Sequence, residues 1–447
     1  MVVRTYTGIE AGRQAILSRR ELRDASLSPR MREGVRRVFG EDLPADEVVR
    51  RILDDVRRQG DRALRHYTEQ IDGVALETVE VSDAELDAAF DQVPDDVVDA
   101  LKTAADRIRR FHERQHIDPW IDAQPEGILG QLVVPLERVG VYAPGGSAPY
   151  PSSLLMTAIP AAVAGVSEVV VCAPPEKNGQ IAPVTAVAAR IAGVSRVFRV
   201  GGAQAIAAMA YGTATVPRVD KILGPGNIFV VLAKRQVYGE VAIDALPGPT
   251  ETVLVADALA SASLCAADML AQAEHDPMAS AILLTTSCDL AASVRTELEK
   301  QLRTLERAAV ARESLGENGA IVVLNTLEEA IALANDYAPE HLCLLVEDPW
   351  RWVPAVRHAG GIFLGESSPE VLGDYTAGPS HVMPTGRTAR FSSPVNVSDF
   401  VKYISLIGLN ERGLEAYGPA AARIARAEGL TAHAAAVERR LEMVRPE

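Results

Sequence analysis

Imidazole, carboxylate and amide side chains occur at four separate places in the chain, and together they could hold a metal ion and move a proton. Gln272 and His275 lie three positions apart in a segment, residues 259–276, that is predicted to be a helix ended by Asp-Pro. That spacing places both side chains on one helical face, as paired metal ligands require. The alternative interpretation is structural: Gln272 caps or solvates the helix, and His275 faces water near the negative end of the helix dipole.

Glu340 and His341 are adjacent, between a predicted helix over residues 326–337 and a predicted strand over residues 342–346. Loops at strand ends carry the chemistry of many α/β proteins, and Glu and His are groups whose pKa values a protein can bring near neutral pH. The pair is therefore a candidate for general acid–base catalysis. A solvated turn is the alternative.

Two further segments each supply a carboxylate and an imidazole. Asp374 lies in a predicted loop rich in Gly and Pro, residues 373–381, where it could complete an oxygen and nitrogen ligand set suited to zinc. Its alternative role is to form a turn after Gly373. Near the C-terminus, Glu428 and His433 flank a glycine that breaks a helix, and they offer a distant fourth ligand.

The other histidines and the cysteines are predicted to have no part in catalysis. Four histidines lie on charged helical stretches and are predicted to face solvent: His66, His112, His116 and His358. The cysteines are far apart without CxxC spacing and are predicted to be small core residues: Cys172, Cys265, Cys288 and Cys343.

Support for a nucleotide site is weaker, because the chain contains no G-x-G-x-x-G fingerprint. Glycine-rich turns precede predicted helices at residues 142–147, 201–204 and 224–227. Free N–H groups at a helix N-terminus favour phosphate, so a dinucleotide could bind at these turns. The alternative is that they are tight strand-to-helix turns that need Gly for their backbone conformation.

The helices and strands that must position these residues can be predicted from the spacing of apolar residues along the chain. From residue 44 to about 116, apolar residues recur every three or four positions, which indicates helices. After a connector near residues 118–131, short β-rich runs alternate with Ala-rich helical segments, as in parallel sheets built from βα units. Beyond about residue 384 the strand pattern fades, and residues 413–444 are predicted to be helical. This tail is too small to bury its own core, so we expect it to pack on the main body or on another subunit.

The predicted fold class is α/β, with two α/β units and smaller helical parts at both ends. The predicted divisions are an N-terminal mainly helical region (1–130), a first α/β unit (131–241), a second α/β unit (242–386) and a C-terminal helical tail (387–447).

The composition of the chain limits the classes of partner that it is expected to bind. The chain has 447 residues, a formal net charge of -15 and scattered rather than clustered basic residues, so binding to nucleic acid or anionic lipid is not expected. It has no apolar run of the roughly 20 residues that a membrane span needs, and its first 20 residues lack the apolar core of a signal peptide. A small soluble substrate and a cytoplasmic location are predicted.

The motifs together resemble those of histidinol dehydrogenases over roughly residues 137–442. The segments that carry the resemblance are YAPGGSAP (142–149), GGAQAIA (201–207), DKILGPGN (220–227), GPTE (248–251), QAEHDP (272–277), APEHL (338–342), residues 373–385 and residues 430–433. The resemblance implies a zinc-dependent enzyme of the last two steps of L-histidine synthesis. It would oxidise L-histidinol to L-histidine by way of L-histidinal, with two NAD+.

The resemblance also implies roles for individual residues. One Zn2+ per active site would be bound by Gln272, His275, Asp374 and His433. Glu340 and His341 would be the catalytic acid–base pair. NAD would contact Tyr142, Gln204 and Asn227. The substrate would contact Thr250, Gln272, His275, His341, Asp374, Glu428 and His433. Thr250 stands where many members have Ser, and it retains the hydroxyl.

The implied fold is a pair of incomplete Rossmann-like units in an intertwined homodimer, whose C-terminal tails reach the partner's active site. His433 and Glu428 would then act in trans. One alternative is a zinc and NAD dehydrogenase of the same family that acts on another small alcohol, such as a sulfonated diol. A second alternative, from another class, is a zinc hydrolase or a non-catalytic binding protein, because the ligand set alone does not specify hydride transfer.

Overall fold

Short runs rich in Val, Ile and Leu form most of the strands. The computed structural model describes residues 3–18, 27–145 and 149–444. Gly146 and Ser147, which belong to the first glycine-rich turn, lie outside the described residues. In chain order the described strands are β1 (Arg4–Thr7), β2 (Glu80–Val81), β3 (Trp120–Gln124), β4 (Gly127–Pro135), β5 (Arg138–Tyr142), β6 (Glu168–Cys172), β7 (Arg196–Phe198), β8 (Lys221–Leu223), β9 (Ala242–Ile243), β10 (Glu251–Ala256), β11 (Ser280–Thr285), β12 (Ala320–Val323), β13 (His341–Leu345), β14 (Gly361–Leu364) and β15 (Val401–Leu409).

Ala-rich and amphipathic segments between the strands form the helices. In chain order the described α-helices are α1 (Ile9–Leu17), α2 (Pro29–Phe39), α3 (Ala45–Gln59), α4 (Asp61–Asp72), α5 (Asp83–Ala88), α6 (Asp95–His112), α7 (Pro151–Val163), α8 (Pro183–Ala192), α9 (Gly202–Tyr211), α10 (Ile228–Val237), α11 (Ala262–Ala273), α12 (Cys288–Gln301), α13 (Ala308–Glu317), α14 (Leu327–Tyr337), α15 (Glu370–Tyr375), α16 (Glu411–Ala427) and α17 (Thr431–Val444).

One six-stranded sheet has the order β1-β12-β11-β10-β13-β14, and all of its neighbouring strands are parallel. Helices cover both faces, so its central strands are apolar on both sides. On β10, Val253 and Val255 pack with α1 and α14, whereas Leu254 and Ala256 pack with α11 and α12. Two hydrophobic cores, one on each face of this sheet, therefore hold the strands whose ends carry the candidate residues Glu340 and His341.

A second six-stranded sheet has the order β2-β7-β6-β5-β8-β9 and is parallel except for the antiparallel pair β2–β7. Helices α6, α7 and α8 pack on one face, and α3, α9 and α10 pack on the other. The prediction of an α/β fold with parallel sheets built from βα units is therefore confirmed.

A third sheet, β15-β4-β3, is antiparallel, and sequence periodicity did not predict it. Strand β15 lies in the tail that was predicted to be helical, β3 lies in the predicted connector, and β4 begins in that connector and continues beyond it. The sequence of β15 lacks an alternating pattern, because Tyr403, Ile404 and Ile407 place apolar side chains on both of its faces. Strand β1 likewise falls in the region predicted to be mainly helical, and it extends the all-parallel sheet.

The C-terminal helices α16 and α17 form a pair that leaves much apolar surface uncovered. The two helices pack against each other around Ala422 and Ala434. Large apolar residues of this tail remain exposed, among them Ile407 at 74%, Ile424 at 61% and Met443 at 82%. Exposed apolar surface on this scale is typical of a subunit interface.

The observed burial confirms most of the predictions of exposed histidines and buried cysteines, and two of them are wrong. His66 and His116 are exposed and His358 is partly exposed, but His112 is fully buried. The apolar stripe of α6 that includes Leu101, Ala105 and Ile108 continues one turn further to this imidazole, whose Nδ1 lies 2.8 Å from the Ile108 carbonyl oxygen. Three cysteines are buried as predicted, and Cys288 is exposed.

None of the described helices combines the length and the apolar character that a membrane span requires.

Candidate active site

Glu340 and His341 lie at the amino edge of the all-parallel sheet. Helix α14 ends at Tyr337, and its C-cap Ala338 has a left-handed backbone conformation, with φ of 53°, that turns the chain back toward β13. His341 is the first residue of β13 and pairs in register with Thr252 on β10. Both members of the dyad are buried. The predicted position between a helix and a strand is therefore confirmed, and a solvated turn is excluded.

The Glu340 carboxylate is held by donors from β10 and from the residue before it. The Thr250 hydroxyl donates to Glu340 Oε2 at 2.5 Å, and the backbone N–H of Glu251 donates to the same oxygen at 3.1 Å. Burial raises the pKa of Glu340, although the His341 charge and these donors oppose the shift. The carboxylate is thus fixed in position, with its pKa moved toward the range useful for proton transfer.

Three carboxylates surround the His341 imidazole. Its Nδ1 lies 3.9 Å from Glu340 Oε2, and its Nε2 lies 3.6 Å from Asp374 Oδ1. Burial lowers the pKa of His341, but the charges of Glu340, Asp374 and Glu370 outweigh burial and raise that pKa well above its ordinary value. The Nε2 atom is buried and has no hydrogen-bond partner within the described part of the chain. The site carries an excess of negative charge, which suits a cationic ligand.

Asp374 lies on the short helix α15, in a segment that was predicted to be a loop. Burial raises the pKa of Asp374, but contact with His341 and the charges of His381 and His275 outweigh burial, so the net shift is downward. His381 Nδ1 donates to the Asp374 carbonyl oxygen at 2.7 Å, and the Ser153 hydroxyl on α7 lies 3.1 Å from His381 Nε2. His381 therefore anchors the backbone of this carboxylate to the other α/β unit, a role that sequence reasoning did not assign.

Gln272 and His275 are close to these groups, but they do not lie on one helix. Helix α11 ends at Ala273, which is earlier than predicted, because Pro277 has no N–H to donate to the Ala273 carbonyl and its ring would clash with that oxygen in a continued helix. Gln272 is buried in the last turn, and its Nε2 donates to the Thr250 hydroxyl at 2.8 Å. His275 follows the helix end and is exposed, yet it is near enough for its charge to lower the pKa of Asp374.

The tail residues stand apart from this cluster in the single chain. Glu428 is the C-cap of α16 and His433 lies in the first turn of α17, and both are exposed. Within residues 3–18, 27–145 and 149–444, no hydrogen bond or ion pair of their side chains is found. In the same ranges no three His, Cys, Asp or Glu side chains form a metal-binding group. The described part of one chain places His275 near Asp374 and joins Gln272 to Thr250, beside Glu340.

The glycine-rich turns lie at the carboxyl edge of the other six-stranded sheet. Tyr142 ends β5, and its hydroxyl accepts from the Gly202 backbone N–H at 3.1 Å. At Gly224, φ is +114°, and an added Cβ would lie 2.2 Å from the Tyr142 carbonyl oxygen, so only Gly fits this turn. Burial raises the pKa of Tyr142 to about 12, which keeps the phenol protonated.

Two amide side chains begin the helices after these turns. Asn227 is the N-cap of α10, and its oxygen accepts from the backbone N–H groups of Phe229 and Val230. Gln204, in the first turn of α9, is fully buried, and neither of its amide atoms has a partner among the residues described. A buried amide without partners is costly unless a ligand satisfies it. Beside these residues lies an apolar cavity of about 180 Å³, lined by α2 and by Gly202, Ala203 and Asn227.

Comparisons with known proteins point to one enzyme family. The family model for histidinol dehydrogenase matches residues 37–441. The histidinol dehydrogenase of Deinococcus radiodurans is 56% identical over 410 residues, which are 91% of this chain and 93% of the relative. That of Thermus thermophilus is 52% identical over 405 residues, covering 91% and 97% of the two chains.

A solved structure of the same family matches the fold over nearly the whole chain. The crystal structure of histidinol dehydrogenase from Elizabethkingia anophelis superposes with a TM-score of 0.91 and 34% identity, covering 99% of each chain. Because the family model spans most of the chain and the curated relatives are about half identical to it, the chain belongs to the histidinol dehydrogenase family and is an NAD-dependent dehydrogenase.

Proposed function

We propose that this enzyme oxidises L-histidinol to L-histidine by way of L-histidinal, with two NAD+ and one Zn2+ per active site, in the last two steps of histidine biosynthesis. The observation that carries the proposal is the buried Glu340–His341 pair, whose unpartnered Nε2 faces the Asp374 carboxylate. The two oxidations consume one water and give L-histidine, two NADH and three protons. The proposed compartment is the cytoplasm.

The donor set fits a zinc ion. Gln272 uses its Nε2 to donate to Thr250, so its amide oxygen is the end left for a ligand. Asp374 offers a carboxylate oxygen that is ionised at neutral pH, and the nearby His275 offers an imidazole nitrogen. Oxygen and imidazole donors suit a borderline divalent ion, and the negative charge around His341 favours one. When bound, zinc would orient the substrate by holding its amine and imidazole nitrogens.

His341 is proposed to act as the base in the first oxidation. The carboxylates raise the pKa of His341 in the metal-free chain, and the positive charge of a zinc ion held at Asp374 would oppose them, so the ring is proposed to be neutral when the substrate binds. Its Nε2 then accepts the proton of the substrate hydroxyl while the carbon-bound hydride goes to NAD+, which produces L-histidinal. The low exposure of His341 and Glu340 excludes bulk water from the reacting carbon. Substrate contacts are proposed for Thr250, Gln272, His275, His341, Asp374, Glu428 and His433.

Glu340 is proposed to act in the second oxidation. Its carboxylate takes a proton from the water that adds to the aldehyde carbon, and the hydrate formed then loses a hydride to a second NAD+. The donors Thr250 and Glu251 N–H both hold Oε2, which leaves Oε1 as the oxygen for this water. The two members of the dyad thereby serve different steps.

NAD is proposed to bind at the glycine-rich turns. Tyr142, Gln204 and Asn227 lie at the carboxyl edge of the sheet that contains β5, where α/β proteins commonly place nucleotides. The unpartnered amide of Gln204 supports a ligand contact there. Asn227 is already engaged through its oxygen as a helix cap, so its NH2 group is the part available to the cofactor.

Incubation of the purified enzyme with L-histidinol, NAD+ and Zn2+ tests the function. We expect two NADH for each histidinol consumed, with L-histidine as the product identified by mass spectrometry. Removal of the metal with a chelator should abolish NADH formation, and added Zn2+ should restore it, because the metal is proposed to orient the substrate. A sulfonated diol serves as the control substrate for the same-family alternative, and faster turnover of that diol would contradict our proposal. The absence of NADH with histidinol would contradict the proposed reaction.

The enzyme is proposed to be a homodimer in which Glu428 and His433 complete the partner's site. Both residues are exposed on a helical pair with much uncovered apolar surface. His433 would then supply the fourth protein ligand that the body of one chain lacks. An exchanged tail also explains why strand β15 tethers the pair to β4 while the helices pack on each other.

Subunit mixing tests this exchange. A His433→Ala subunit and a His341→Asn subunit are each expected to form inactive homodimers. In a mixed dimer, one site receives both substitutions and the other receives neither. If the subunits mix at random, about a quarter of the wild-type activity should therefore return.

The same two proteins assayed separately are the control for this experiment. If the tail instead completed the site of its own chain, every site in the mixed dimer would carry one substitution. Mixing would then restore no activity, and the trans arrangement would be wrong.

A further inference from the structure

A pair of buried polar side chains lies behind His341, on the side away from Asp374. Thr252 on β10 is fully buried and lies directly beside His341 on β13, because the two residues are paired in register. The Glu370 carboxylate, at the start of α15, is also buried and contacts the Thr252 hydroxyl. Neither residue was singled out by the sequence, and neither has a part in the mechanism above.

We infer that Thr252 and Glu370 are positioning residues that hold the His341 imidazole with its proton on Nδ1, so that Nε2 is free to accept the proton of the substrate alcohol. This inference rests on the proposed role of His341 as the base. It deepens that role, because it says which nitrogen of the ring reacts and what selects it.

The direction of two hydrogen bonds of Thr252 determines which nitrogen of the His341 ring carries the proton. Thr252 Oγ1 lies 2.5 Å from Glu370 Oε2, a separation typical of a hydroxyl that donates to a carboxylate. The hydroxyl has a single proton, so toward His341 it offers only lone pairs. His341 Nδ1 lies 3.5 Å from Thr252 Oγ1, within reach of a weak hydrogen bond that the ring nitrogen must donate. The neutral imidazole then carries its proton on Nδ1.

Competing partners at Nδ1 are weaker. Glu340 Oε2 lies 3.9 Å away, which is beyond hydrogen-bond distance, and that oxygen already accepts from Thr250 and from the Glu251 N–H. The Phe363 ring packs against the imidazole with centroids 5.7 Å apart, and it limits ring rotation. Thr252 is thus the nearest hydrogen-bond partner of Nδ1 in the described structure.

The contact between Thr252 and Nδ1 leaves Nε2 of His341 free to react. This atom is buried, has no hydrogen-bond partner among the residues described, and faces the Asp374 side of the site. With the Nδ1 proton held by Thr252, the lone pair of Nε2 is the one that the substrate hydroxyl meets. During the reaction Nε2 gains the alcohol proton, Nδ1 keeps its own, and Thr252 and Glu370 exchange none. The arrangement follows the general logic in which a third group orients a catalytic base.

A pair of substitutions at Thr252 tests the inference. Thr252→Val keeps the shape of the side chain but removes the hydroxyl, whereas Thr252→Ser keeps the hydroxyl. We expect Thr252→Val to lower kcat for histidinol oxidation by about 10- to 100-fold, with KM for histidinol changed less than about twofold. Thr252→Ser should keep kcat within about threefold of the wild-type value. Zinc content and thermal unfolding are measured for both variants.

Glu370→Met supplies a second, independent variant. Without the carboxylate, the Thr252 hydroxyl can turn its proton toward Nδ1, which favours the unproductive tautomer. We therefore expect kcat to fall at least as much as in Thr252→Val, again with little change in KM. An unchanged kcat in either Thr252→Val or Glu370→Met would overturn the inference, as would equal losses in Thr252→Val and Thr252→Ser.

Combination with His341→Asn separates this inference from the proposed function. If Thr252 acts through His341, Thr252→Val should cause no further loss in an enzyme that already carries His341→Asn, and an additive loss would overturn the inference. If His341→Asn alone leaves kcat intact, the proposed function itself fails. If His341→Asn is severe and Thr252→Val is harmless, only the positioning role is wrong.

Discussion

Replacing His341 with Asn is expected to slow histidinol oxidation by about 10²- to 10⁴-fold, the range attributed to a general base. The amide has no lone pair basic enough to take the alcohol proton, whereas the His341 Nε2 lies unpartnered toward Asp374. The proposed zinc ligands are other side chains, so zinc content should be unchanged. The measurements are kcat from NADH formation and zinc per chain from elemental analysis.

Two controls make this result specific. His66→Asn makes the same chemical change on the exposed face of α4 and should leave kcat unchanged. KM for histidinol should change much less than kcat, because zinc and not His341 is proposed to hold the substrate nitrogens. Loss of zinc from His341→Asn would contradict its role as the base and would make it a metal ligand.

The location of the dyad could be predicted because local sequence determines it. A helix that ends at Tyr337, a turn through Ala338 and an apolar strand from Leu342 onward are each readable within a few residues. Similarly, the βα alternation from β5 to β14 predicted parallel sheets. These signals depend on short-range periodicity, and the structure agrees with them.

Features that depend on distant partners could not be predicted in this way. Strand β15 pairs with β4 from far along the chain, and its apolar residues face both sides of a sheet that the single chain leaves exposed. The contact between Thr252 and Glu370 joins residues that are 118 positions apart. One local hint was a polar residue, Thr252, directly before the apolar run at residues 253–256, and such a residue is commonly structural.

The proposed metal ligands show the same division. Gln272 and His275 lie at and just after the end of α11, which the sequence placed three residues too late, and Asp374 lies on α15, where the sequence predicted a loop. His433 is exposed on α17, so one chain alone does not test its proposed role. The family resemblance suggested the set, whereas spacing alone left a structural alternative for Gln272, His275 and Asp374.

Replacing Glu340 with Gln is expected to separate the two oxidations. The substituted amide retains an oxygen that can accept from Thr250 and from the Glu251 N–H, so the local structure should persist. It cannot take a proton from water, and oxidation of supplied histidinal should fall by about 10²- to 10⁴-fold. Histidinol oxidation to the aldehyde should fall by less than about tenfold, because His341 takes that proton.

NADH yield measures this separation directly. With enzyme in excess over histidinol, the wild-type protein should form two NADH for each substrate, and the Glu340→Gln variant should form one quickly and the second only slowly. Glu347→Gln, the same change at an exposed position just beyond the other end of β13, is the matched control and should behave as wild type. Equal slowing of both oxidations would refute the division of labour. It would instead indicate that Glu340 mainly sets the charge around His341, from which it is only 3.9 Å away.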